Sequence, residues 1–119
     1  MSTDSSRSSS SGGSADETCE FPENQQAPYD LAGPPKYLLE VMGAGHLDFS
    51  NLCEVPLAAQ LVDDGCDPAS TDPEVVHARV ISVATAFAYR HVLGDVRYDP
   101  VLAVPHVVAL GTVEYWAEP

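Results

Sequence analysis

The sequence predicts an α/β fold that is incomplete as a sheet, with one or two strands covered by several helices. Three observations carry this. Lys36 to Met42 is a short apolar run between Pro34-Pro35 and Gly43-Ala44-Gly45, which favours a mostly buried strand over a helix. Thr71-Asp72-Pro73-Glu74 opens a long stretch with apolar residues at helical spacing. Thr112-Val113-Glu114-Tyr115-Trp116 alternates like an edge strand. One strand and one further candidate are too few for a complete α/β sheet.

Taken in order, Met1 to Ser14 is rich in Ser and Gly and has no apolar residue after Met1, so residues 1–14 are expected to be a disordered tail. The folded portion is then residues 15–119, enough for one core. A short helix is expected within Asn24 to Leu31, interrupted or started near Pro28. Pro34-Pro35 forces an extended entry into the strand, in which Tyr37, Leu39 and Val41 share a face. The small-residue turn after it leaves His46 projecting from a strand end, where open α/β sheets place their chemistry. Leu47 to Asn51 reads as a loop, followed by a helix from about Val55 to Asp63 that Gly65 stops. The long helix starts on a Thr71 or Asp72 cap. It carries Val76, Val80, Val83, Ala84, Phe87 and His91 on one face, and Gly94 closes it. Val101 to Ala103 and His106 to Leu110 read as short helical pieces separated by Pro105.

Eighteen acids face only Arg7, Lys36, Arg79, Arg90 and Arg97, a formal charge of −13. That balance argues against nucleic acid and against anionic membrane surfaces. The acids are scattered and read as a solvated surface. Without an apolar leader or a run of transmembrane length, the chain as encoded is expected to be cytoplasmic. Three cysteines cannot all pair within the chain. Cys53 and Cys66 bracket the segment after His46 and are either a disulfide, in an oxidising compartment, or two small buried thiols; Cys19 is left over.

His46 is the candidate general base, and its partner is the question. Asp16 precedes it by about thirty residues in a small-residue loop, an order that fits an acid followed by a histidine in serine hydrolases. Glu17 and Asp48 compete for the role. A carboxylate accepting the proton of one ring nitrogen fixes the tautomer, so that the other nitrogen can take a proton from a hydroxyl. Metal binding through His46, His77, His91, His106 and the cysteines matches no ligand spacing, and His77 and His91 read as ordinary helix residues.

Ala15-Asp16-Glu17-Thr18, Pro22-Glu23-Asn24, Gly33-Pro34-Pro35-Lys36-Tyr37-Leu38 and Gly43-Ala44-Gly45-His46, in this order, resemble the C-terminal third of α/β-hydrolases. The nearest branch is that of bacterial lipases, cutinases and polyester hydrolases, with dienelactone hydrolases, chlorophyllases and acetylhydrolases of platelet-activating-factor type. Ala84 to Phe87, Arg90 to Asp95 and Arg97-Tyr98 resemble that family's last helix and the aromatic turn after it, and Cys53 and Cys66 resemble its extra loop. The resemblance implies a C-terminal fragment of an α/β-hydrolase sheet over residues 15–119. It makes His46 the triad histidine and Asp16 the triad acid, requires no cofactor or metal, and includes full-length relatives that are secreted.

Two departures qualify the implied activity. The sequence has no Gly-x-Ser-x-Gly elbow, so no nucleophile is assigned: Gly12-Gly13-Ser14-Ala15-Asp16 fails the pattern and abuts the proposed acid. The oxyanion donors that flank such an elbow are missing with it. The expectation is therefore the C-terminal portion of a serine ester hydrolase, essentially inactive by itself. It would meet an ester substrate only with the missing N-terminal portion. The alternative is a non-catalytic interaction module that self-associates or pairs with another chain along unpaired sheet edges.

Overall fold

Residues 7–119 are described by the computed structural model. Three strands form one mixed sheet in the order β1 (Ser8–Gly13), β2 (Lys36–Val41), β3 (Val113–Glu118). β2 is central, parallel to β1 and antiparallel to β3. The architecture is thus α/β with three strands where one or two were expected.

β1 corrects the expected tail. Residues 1–6 lie outside the described residues, but Ser8 to Gly13 pairs with β2 from Ser8–Lys36 to Gly13–Val41. Composition predicts disorder where side chains bury too little apolar surface; here the strand is held through main-chain hydrogen bonds to a buried neighbour. Small residues also permit its close fit. A Cβ on Gly13 would meet the Ala44 carbonyl oxygen, and one on Gly12 would meet Gln25 and Phe21.

β2 is buried on both faces, as strands covered on both sides are. Tyr37, Leu39 and Val41 face a cluster with Val76, Val83, Ala86, Leu102, Val107 and Tyr115. Leu38 faces the opposite side with Phe21 and Tyr29, against Trp116. At the strand's start the buried Lys36 ammonium donates to the Tyr29 carbonyl oxygen at 2.8 Å, lies over the Tyr29 ring and pairs with Glu118 at 3.5 Å. A buried ammonium needs such partners.

Between β1 and β2 a helical segment runs through the wide turn Pro22–Gln26 into α1 (Ala27–Leu31). After β2 come the tight turns His46–Phe49 and Leu52–Glu54, then α2 (Pro56–Leu61), shorter than expected. α3 (Pro73–Phe87) begins where the sequence indicated. Its cap is Asp72, whose carboxylate accepts from the Glu74 N–H at 2.9 Å; Thr71 instead donates its hydroxyl to the Met42 carbonyl oxygen. A further turn, Ala88–Val92, carries the helix to Gly94, which has φ +75°. α4 (Asp99–Leu102) and α5 (Val104–Ala109) follow, and Arg79 of α3 donates to the carbonyl oxygens of Leu110 and Gly111 beyond α5. No helix among the described residues is long and apolar enough to cross a membrane.

The helix histidines have packing partners. The Tyr37 hydroxyl and His91 Nε2 are 2.7 Å apart, and burial holds His91 below the usual imidazole range. His77 Nε2 donates to the Ser50 carbonyl oxygen at 3.0 Å.

Candidate functional site

The site is built where β1 and β2 end. Being parallel, the two strands deliver their following loops to the same edge of the sheet. The loops are joined at once: Ser14 N–H donates to Val41 O, and Ala15 N–H to Ala44 O at 3.0 Å. Asp16 therefore arrives beside the turn that begins at His46.

Asp16 Oδ2 lies 3.1 Å from His46 Nδ1. The other carboxylate oxygen, Oδ1, accepts from the Thr18 N–H at 2.9 Å and the Cys19 N–H at 2.7 Å. These bonds fold the loop back over the carboxylate and fix its direction, as short-range aspartate turns do. The two partners differ in exposure: the Asp16 side chain is 6% exposed and that of His46 is 42% exposed. Nδ1 thus faces a buried acceptor, while the ring as a whole reaches solvent.

Neither competing residue bonds the His46 ring among the described contacts. Asp48 is fully buried and accepts from the Gly45 N–H and the Cys66 N–H, both at 2.8 Å. Glu17 is exposed, and its main-chain N–H donates to Asp64. Ser14 accepts the Gly43 N–H on its Oγ at 2.7 Å, which makes its oxygen a loop fastener.

Two residues escaped the sequence reading. Asp64 is buried, although the acids were expected to be a solvated surface, and its carboxylate accepts from Glu17 N–H, Thr18 Oγ1 and His46 N–H. Burial acts to raise its pKa, but the Thr18 hydroxyl and the Glu17 and His46 N–H groups outweigh it and hold the carboxyl below its usual range. Thr18 is the second. The only signal in the sequence is Asp64 standing just before Gly65, which offers a backbone free to bend.

Gly45 and Gly65 pack these loops together. Gly65 takes φ +107°, and a Cβ on Gly45 would sit 2.6 Å from the Gly65 nitrogen and 2.7 Å from the Asp64 carbonyl carbon. Because those neighbours are backbone, Gly45→Ala is expected to cost about 1–3 kcal/mol in urea unfolding, the range for overfilled packing. An unchanged midpoint would show that the loops are not in contact. Cys53 and Cys66 are joined as a disulfide, leaving Cys19 as the free thiol. Their sulfurs lie near the Asp48 carboxylate, but sulfurs bonded to each other offer no thiolate to a metal.

An open cleft of about 530 Å³ lies beside the site, walled by Ser14, Asp16, Gly45 and Asp64 and rimmed by Glu17 and Asp67. The His46 ring is not part of its wall. No family model, curated protein or solved structure matches the chain. The site's chemistry therefore rests on its own geometry.

Proposed function

We propose that the chain is the acid–base portion of a serine ester hydrolase, in which His46 is the general base and Asp16 the carboxylate that orients it. One observation carries the reading: the 3.1 Å contact between Asp16 Oδ2 and His46 Nδ1, made at the ends of adjacent parallel strands. An Nδ1–H donated to a buried carboxylate leaves Nε2 with its lone pair. In the complete enzyme Nε2 would take the serine proton as the oxygen attacks the ester carbonyl, then return it to the departing alcohol; water would repeat the cycle on the acyl-enzyme. The chain contains no Gly-x-Ser-x-Gly segment, so the serine and the oxyanion donors would come from polypeptide outside these residues.

The test has two readouts on the purified chain. In ¹⁵N NMR the neutral His46 ring is expected to be the Nδ1–H tautomer, and Asp16→Ala should convert it toward Nε2–H. A fluorophosphonate probe and a nitrophenyl ester are expected to give neither labelling nor turnover. An Nε2–H ring in the unaltered chain would remove the acid–base reading, and labelling abolished by His46→Ala would reveal a nucleophile within the chain.

The second reading is a non-catalytic module that pairs with another polypeptide. It is favoured by β1, which among the described residues is hydrogen-bonded to a neighbouring strand on one side only. Light scattering tests the self-associating form of this reading: a chain that runs as a compact monomer at all concentrations counts against it.

A further inference from the structure

Two loops must be held in register for Asp16 to face His46, and one buried side chain touches both. The Asp64 carboxylate receives the Glu17 N–H on each oxygen at 3.1 Å and the Thr18 hydroxyl on Oδ2 at 2.6 Å, all from the acid loop. From the histidine turn it receives the His46 N–H on Oδ1 at 3.1 Å. Its main-chain oxygen also accepts the Leu47 N–H at 2.9 Å. Thr18 in turn connects two carboxylates, since its N–H donates to Asp16 while its hydroxyl donates to Asp64. Asp48, which is also buried, bonds Gly45 and Cys66 and makes no bond to the acid loop among the described residues.

We infer that Asp64 is a positioning residue for the Asp16–His46 pair, clasping the acid loop to the histidine turn and setting the carboxylate-to-imidazole contact through Thr18. The inference rests on the acid–base reading of His46 and adds to it a residue that acts through the Asp16–His46 pair. A carboxylate is suited to this role by its charge, because in the ionised form it can accept several N–H and O–H donors at once, and charge-assisted bonds are the stronger kind. Without the clasp, the acid loop keeps the main-chain bonds at Ser14 and Ala15 and the Gly43 N–H bond to the Ser14 hydroxyl, all of them before Asp16 in the chain.

The ring tautomer of His46 reads this out, because a role confined to overall stability would leave the tautomer of the folded protein unchanged. In folded Thr18→Val the Nδ1–H share of neutral His46 is expected to fall toward that of Asp16→Ala, and Thr18→Ser, which keeps the hydroxyl, should restore it. Asp64→Ala should produce the larger fall. If Asp64→Ala does not fold, the exposed Thr18 position carries the test, with the His77 and His91 ring signals reporting an intact fold. An unchanged tautomer in Thr18→Val, where Asp16→Ala does shift it, would overturn the clasp and leave the pair standing. No shift in Asp16→Ala would overturn both.

Discussion

Leu39→Ala is expected to remove about 2–5 kcal/mol of folding stability, the usual range for a buried leucine truncated in a core that cannot collapse around the gap. Leu39 is fully buried in the central strand, flanked by Ser11 on β1 and Tyr115 on β3. Its side of the sheet holds the main cluster, to which α3, α4 and α5 contribute Val76, Val83, Leu102 and Val107. Ser11 offers little bulk to relax into the cavity. A domain has only about 5–15 kcal/mol in total, so the variant should be partly unfolded under conditions where the parent is native. Urea denaturation followed by circular dichroism gives the figure, and a loss below about 1 kcal/mol would mean that Leu39 does not anchor this core.

Removing the Cys53–Cys66 bond, by reduction or as the double variant Cys53→Ala/Cys66→Ala, is expected to cost about 3 kcal/mol, the chain-entropy figure for a loop near fifteen residues. The two cysteines are separated by 13 positions. The effect should not stay local. Cys66 N–H bonds Asp48, Asp48 bonds the Gly45 N–H, and Gly45 lies against Gly65, so loosening the loop reaches the residue before His46. Thiol titration of the unreduced, unfolded protein should find one reactive group, Cys19. Three would show that the bond does not form, and an unchanged urea midpoint after reduction would show that it constrains nothing.

Much of the centre of the fold was legible because it depends on apolar period and capping chemistry. β2 was readable from its proline and glycine bounds, and Tyr37, Leu39 and Val41 share a face while Leu38 turns away. The start of α3 was readable from Asp72 and Pro73. Asp16 stood beside Glu17 and Asp48 as a partner for His46, singled out by the resemblance, and it lies within hydrogen-bond distance of the ring. β1 was not legible, since four serines and two glycines carry no apolar alternation and the strand is held by main-chain pairing that composition does not report. Asp64 was hidden for a related reason. Its donors are a hydroxyl and backbone N–H groups from distant positions, and apart from the adjoining Gly65 a local window does not tell such a carboxylate from a solvated one.

The crowded glycines suggest how kindred chains could be recognised when overall similarity has faded. Gly13 touches the Ala44 carbonyl, Gly45 touches the main chain at Asp64 and Gly65, and Gly65 lies against the Asp48 carboxylate. At Gly13 and Gly45 the neighbour is backbone, which leaves no room for a β-carbon, and Gly65 takes φ +107°, which L side chains rarely adopt. A fingerprint of three such glycines, set among an aspartate three residues after the first, a histidine directly after the second and an aspartate directly before the third, would trace descent through backbone clearance, where side-chain identity elsewhere is free to drift.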